Sequence, residues 1–272
     1  MSSDKVAAFA GTLAEFYDRY LVPLIFAPYA EVVADRAKAL RPRRVLETAA
    51  GTGVVTEALA RKLPTDVTIT ATDLNQAMIE RGKARPGMGR VNWQQADAMK
   101  LPFPDDAFDL IVCQFGVMFF PDKQASFNES FRILTPSGTY LFVLWDDYAN
   151  MSNSPVWIAA QTVGDMLGRD PDTLVNPGYF DEPTIRADLA AAGFWDVRVD
   201  RIARMARAAS AGDAAVITVQ GSLLRTAIET ADPSRLGEAT HAVEQVMLTR
   251  FGEGPVEGEM KALIVTATKP QF

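Results

Sequence analysis

From about residue 43 onward, short β-branched and apolar runs alternate with helical stretches, the rhythm of a parallel sheet assembled from strand–helix–strand units. Val45–Glu47 predicts a first strand, and the amphipathic run Val54–Leu63 a helix after it. Val67–Asp73 (VTITATD) predicts a second strand, with Gln76–Arg81 opening its helix, and Val91–Gln95 a third strand. Phe108–Cys113 (FDLIVC) is almost wholly apolar, as a strand covered on both faces should be. Asp122–Leu134 predicts a helix stopped by Thr135-Pro136-Ser137-Gly138, and Thr139–Trp145 (TYLFVLW) a fifth strand.

The rhythm changes after residue 146. Residues 147–180 are polar, with Pro155, Pro171 and Pro177 around one predicted helix, Val156–Leu167. Glu182–Ala192 predicts another helix, ended by Gly193, and Val197–Ile202 a sixth strand. Helical stretches at about 210–230 and 234–251 precede a last strand, Leu263–Thr268. The pattern predicts an α/β fold, a seven-stranded, mostly parallel sheet with helices on both faces and inserted helical lid segments. As one domain over 1–272, the core is expected at about 36–146, 181–204 and 259–272, and the lid segments at about 1–35, 147–180 and 205–258.

Composition narrows the function. An apolar share of 48% and a charged share of 22% are those of an ordinary globular chain. A net charge of −7 speaks against nucleic acid as a main partner, which needs a basic face to release phosphate counterions. The basic run Arg41-Pro42-Arg43-Arg44 reads as a solvated turn before a strand. The single cysteine, Cys113, cannot pair within the chain and lies in an apolar strand, which suits a reducing compartment. No stretch approaches the ~18 consecutive apolar residues of a membrane span. The start MSSDKVAAFAGTLAEF lacks the basic and long apolar regions of a signal peptide, so a cytoplasmic protein is expected.

Val45-Leu46-Glu47-Thr48-Ala49-Ala50-Gly51-Thr52-Gly53 carries the strongest chemical signal. A strand feeds a tight turn of small residues and a helix begins at once. Glycine there lets backbone approach a ligand, and the helix amides favour a carboxylate or phosphate. Asp73 follows Gly53 by 20 residues at the end of the second strand, the offset at which dinucleotide folds hold ribose hydroxyls with an acid. Asp97, just past the third strand, can accept a hydrogen bond from an adenine amino group, with the Ala98 amide beside it.

With these residues in hand, the chain resembles the class I, Rossmann-like methyltransferases dependent on S-adenosylmethionine (SAM), in the branch of the ubiquinone and menaquinone C-methyltransferases. VLETAAGTG resembles the first family motif, ATDLNQAM the second and QQADAMKLPF the third, while FDLIVCQFGVMFFPD and RILTPSG resemble the fourth and fifth. The resemblance implies that Glu47 anchors the turn or the methionine amino group, and that Ala49, Gly51, Thr52 and Gly53 line the methionyl and ribose part. It implies that Asp73 binds the ribose diol, Leu74 and Met78 cover the adenine, Asp97 and Ala98 hold its edge, and Gln114 closes the site. Ala49 stands where the family usually has its first glycine, so a slightly wider turn is expected. Tyr17 and Tyr20, in the aromatic segment FYDRYLVPLIFAPYA, are candidates for the SAM carboxylate.

A nicotinamide-dependent oxidoreductase is the competing reading of the same turn. Its fingerprint wants a third small residue three positions after the second glycine, where this chain has Thr56, and Tyr-x-x-x-Lys does not occur. A SAM-binding module without catalysis is the other alternative. Methyl transfer needs alignment in a dry pocket more than a general base. No catalytic residue is assigned and no metal site is expected; His241, the only histidine, reads as surface or packing. The N-P-P-Y pattern of many amide and amine methylating enzymes is absent, and QFGVMFF replaces it. The partner expected is a small, hydrophobic or aromatic methyl acceptor facing Phe115, Met118 and Phe119, with S-adenosylhomocysteine as the other product.

Overall fold

A computed structural model describes residues 16–175 and 178–271. Seven strands form one sheet in the order β3-β2-β1-β4-β5-β7-β6. They are β1 (Arg44–Glu47), β2 (Thr68–Asp73), β3 (Val91–Gln95), β4 (Phe108–Gln114), β5 (Leu134–Trp145), β6 (Trp195–Ala208) and β7 (Val256–Thr268). β1 to β5 run parallel, in registers such as Leu46↔Thr70, Leu46↔Ile111 and Ile111↔Tyr140. β7 runs antiparallel to β5, pairing Phe142 with Val265. The sheet is therefore mixed but mostly parallel, and Rossmann-like in architecture.

The order matters for function. From β1 the chain steps outward to β2 and β3, then returns to the other side for β4 and β5. Parallel crossovers share one hand, so connections leaving in opposite directions place their helices on opposite faces. The switch falls between β1 and β4, and the crevice outside their carboxyl ends is where open α/β sheets take ligands.

Local chemistry explains the helix boundaries. α1 (Ala27–Ala39) continues from a π-helical stretch, Tyr17–Phe26, that contains Pro23. Proline cannot donate to a regular α-helical ladder, and the wider winding accommodates it. α2 (Val54–Lys62) opens at Gly53, whose φ of 84° only glycine adopts cheaply. α3 (Gln76–Lys83) is capped by the Asn75 side chain on the Ala77 amide, and α4 (Lys123–Ile133) by Asp122 on the Ala125 amide at 2.9 Å.

Contacts divide the chain into two compact units. One comprises Tyr29–Asp146, Tyr179–Ile202 and Ala262–Phe272, and holds β1 to β5 with the adjoining parts of β6 and β7. Its core includes Leu46, Ile69, Leu110, Ile111 and Phe142, all fully buried. The other comprises Met1–Pro28, Asp147–Gly178 and Ala203–Lys261. In it, α5 (Pro155–Leu167), α6 (Asp172–Val175), α8 (Ala211–Gln220), α9 (Leu223–Ala231) and α10 (Leu236–Phe251) pack around Val163, Val219, Ile228 and Val243; α7 (Glu182–Ala191) belongs to the first unit. The first fifteen positions of the expected lid segment 1–35 lie outside the described residues.

Three expectations change. β6 and β7 are far longer than the predicted 197–202 and 263–268, running 195–208 and 256–268. The stretch expected to be one helix at 210–230 is two, broken at Gly221-Ser222, where the Ser222 hydroxyl caps α9. Thr135–Gly138 is an irregularity inside β5, because the pairing shifts between Phe108↔Leu134 and Leu110↔Thr139.

Candidate cofactor site

The ladder of β1 runs one residue past the strand, with the Thr48 amide donating to the Val112 carbonyl at 2.9 Å. The chain then turns through left-handed conformations at Ala49 (φ 51°), Gly51 (φ 55°) and Gly53 (φ 84°). The Ala50 amide donates to the Thr72 carbonyl at 2.9 Å, tying the turn to the end of β2. Asp73 completes the tie. One carboxylate oxygen accepts the Gly51 amide at 2.8 Å and the other accepts the Asn75 amide at 2.8 Å. A carboxylate offers about four lone-pair directions, so Asp73 retains acceptor capacity beyond these bonds.

The two glycines differ. A Cβ on Gly51 would meet nothing within 4 Å, whereas one on Gly53 would lie 2.9 Å from the Trp93 ring. Gly51 is thus the open cradle of the turn, and Gly53 the place where helix and β3 close together. Arg85 braces the turn, its Nε donating to the Thr52 carbonyl at 2.5 Å and its guanidinium reaching Glu57 at 2.7 Å.

Glu47 lies buried beneath the turn and accepts the Thr56 hydroxyl at 2.6 Å. Burial pushes its carboxyl from the ordinary 4.5 up to about 8; the Thr56 bond pulls the other way and the Asp73 charge adds to the rise. At neutral pH Glu47 keeps its proton. The Ala49 methyl lies toward Gly116, 2.6 Å from where a Cβ on that glycine would stand.

The end of β3 joins the same assembly, the Ala96 amide donating to the Asp73 carbonyl at 3.0 Å. Asp97 accepts the Met99 amide at 2.8 Å and is half-buried, as is Ala98. Leu74 is 66% exposed, while Met78 is half-buried. Gln114 ends β4 opposite Val143. Tyr17 and Tyr20 lie in the other unit, Tyr17 packed on Phe26 at 5.5 Å and Tyr20 on Phe16 at 4.9 Å.

The carboxyl ends of β4 and β5 are aromatic. Phe115 holds φ 55° and stacks on Trp145 with centroids 3.8 Å apart, while Tyr29 meets both edge-on at 5.4 and 5.5 Å. Met118 is 1% exposed and belongs to the core, and Phe119 is 51% exposed, so the apolar trio splits. Cys113 is fully buried and its thiol is pushed up to about 11 by that burial, which keeps it protonated and inert. His241 sits on α10, its Nδ1 3.5 Å from Glu244. Among the described residues no cluster fits a metal ion, and no helix is long and apolar enough to cross a membrane.

Thr56, Arg85, Trp93 and Gly116 escaped the sequence reading as supports of the site. Only Thr56 had a signal, its place three residues after Gly53.

Comparison with known proteins agrees with this geometry. Residues 45–138 match the family described as methyltransferase domain. A protein of Mycobacterium tuberculosis named only as uncharacterized is 35% identical over 123 residues, 44% of each chain. This chain therefore spans less than half the length of that relative. The ubiquinone/menaquinone biosynthesis C-methyltransferase UbiE of Serratia proteamaculans is 29% identical over 174 residues, 58% of this chain and 68% of that one. In fold, YcgJ from Bacillus subtilis matches 90% of this chain and 100% of its own with a TM-score of 0.58 and 19% identity. The [4+2]-cyclase SpnF matches 90% of this chain and 81% of its own with a TM-score of 0.55 and 20% identity. Residues 45–138 are thus similar to a methyltransferase domain, and the whole chain shares the Rossmann-like fold of these solved structures.

Proposed function

We propose that this chain binds SAM at the Gly51 turn and transfers its methyl group to a small hydrophobic or aromatic acceptor, releasing S-adenosylhomocysteine. The observation that carries the reading is Asp73. It accepts the Gly51 amide beside an open cradle, at the carboxyl end of β2 and next to the switch point of the sheet. Such a carboxylate is held in place before ligand arrives and still has acceptor capacity for a ribose diol. Leu74 and Met78 would cover the adenine, Asp97 and Ala98 hold its edge, Gln114 close the site, and Tyr17 or Tyr20 take the carboxylate. Thr56 weighs against a dinucleotide, since its buried hydroxyl is committed to Glu47.

Bound SAM supplies an activated methyl on sulfonium. The protein's part is to align acceptor and methyl and to exclude water, so no general base is assigned. The stacked Phe115–Trp145 pair supports an apolar acceptor. Segments 147–180 and 205–258, which the parallel strands do not need, are proposed to act as a lid, in cytoplasmic surroundings.

The fold likeness to a cyclase keeps one second reading in play, a SAM-type fold that binds cofactor without methyl transfer. Titrating S-adenosylhomocysteine into the chain should show one molecule bound, and a screen of phenolic and quinone-like acceptors should then yield methylated product. No uptake at millimolar ligand overturns the cofactor reading. Uptake without any transfer favours the second.

A further inference from the structure

Gly116 stands two residues beyond β4 with φ −97°, an angle open to any residue, so backbone conformation does not explain a glycine there. Space does. A Cβ at position 116 would lie 2.6 Å from the Ala49 Cβ and 2.7 Å from the Cys113 Sγ, closer than such atoms approach. Ala49 in turn holds the left-handed φ of 51°, which a side chain normally resists. Its methyl lies 2.6 Å from the place that a Cβ on Gly116 would take.

We infer that Gly116 is a positioning residue of the cofactor turn, matched to Ala49, whose methyl seats on it and so sets the height of the backbone from Ala49 to Gly51. The inference rests on the cofactor reading above for its functional half. The contact itself lies entirely between the ends of β1 and β4. A methyl at 116 would push Ala49 outward, and with it the Gly51 amide that Asp73 holds at 2.8 Å. The other close neighbour, Cys113, meets the turn at Thr48, so the two contacts are separated by substituting each in turn.

The test compares Gly116→Ala, Ala49→Gly/Gly116→Ala and Gly116→Ala/Cys113→Ala with the parent and with Ala49→Gly. S-adenosylhomocysteine affinity is read by calorimetry and folding by melting temperature. Gly116→Ala should weaken binding at least about tenfold, while in the Ala49→Gly background the same change should cost less than about threefold. Gly116→Ala/Cys113→Ala should recover part of the melting temperature but not affinity. Unchanged affinity in Gly116→Ala overturns the proposal, as does affinity restored by Cys113→Ala and not by Ala49→Gly. Should Gly116→Ala fail to fold, Ala49→Gly/Gly116→Ala/Cys113→Ala, free of both close contacts, is expected to fold and to bind within about threefold of Ala49→Gly, and binding at least about tenfold weaker than Ala49→Gly overturns the pairing. A parent that binds no ligand defeats the cofactor reading instead, and non-additive melting temperatures at 49 and 116 then decide whether the pair is real.

Discussion

The carboxyl ends of β1 and β2 and those of β4 and β5 are built on different physics. At the first, polar groups hold one another. Gly51, Ala50, Thr72, Asn75 and Asp73 exchange backbone and carboxylate bonds of 2.8–2.9 Å, with Glu47 and Thr56 beneath. At the second, aromatic rings do the holding, with Phe115 kept at φ 55° by its stack on Trp145 and its contact with Tyr29. The polar end is held by these bonds, and the cofactor proposed for it is rich in hydroxyl, amide and charge. The apolar end is closed core, with Tyr29, Phe115 and Trp145 all buried. One end should govern affinity for the cofactor, and the other mainly the stability of the floor.

Replacing Phe115 with alanine tests the aromatic end. Removing so large a buried ring costs about 3–5 kcal/mol. For a chain of this size that lowers the melting temperature by roughly 10 °C. A drop under about 2 °C would mean that the stack contributes little and that the contrast between the ends is false.

The two turn glycines sharpen the contrast within the polar end. Gly53→Val meets Trp93 at 2.9 Å and a φ of 84°, and overpacking plus left-handed strain should remove about 2–5 kcal/mol of stability. Gly51→Ala adds a Cβ that meets no neighbour within 4 Å, so only the left-handed strain of about 1–2 kcal/mol applies, while S-adenosylhomocysteine binding is weakened. Equal melting temperatures for the two variants would contradict the division of labour. Glu47 adds a dependence on pH. With its carboxyl raised from 4.5 to about 8, the folded chain keeps a proton that the unfolded chain releases between those values. Stability from this group is full below about pH 4.5 and declines as pH rises toward 8. Glu47→Gln should flatten the melting profile across that window, and parallel profiles for parent and variant would show that Glu47 ionises normally.

Legibility in the sequence follows the same division. The turn and Asp73 could be read because backbone conformation and strand-end position dictate residue type at fixed spacing. Their supports could not. Trp93 under Gly53, Arg85 on the Thr52 carbonyl and Gly116 against Ala49 are contacts between elements, and no local pattern announces them. The ends of β6 and β7 were hidden for other reasons. Ala203–Ala208 has no β-branched residue, though the pairing continues through it. Val256–Ala262 alternates buried and exposed positions with period two, a signal masked by its glutamates and glycine. Thr135–Gly138 carries turn residues because a bulge needs them as much as a turn does.

The central claim is that Asp73 holds both the turn and the ligand. Bonds to a charged acceptor contribute about 1.5–3 kcal/mol each, so Asp73→Ala should weaken S-adenosylhomocysteine binding by roughly 10–150-fold in calorimetric titration. Melting temperature without ligand should fall by a few degrees, because the Gly51 and Asn75 amides lose their acceptor. A dissociation constant equal to the parent's would reduce Asp73 to a brace of the turn and contradict its role as ribose acceptor.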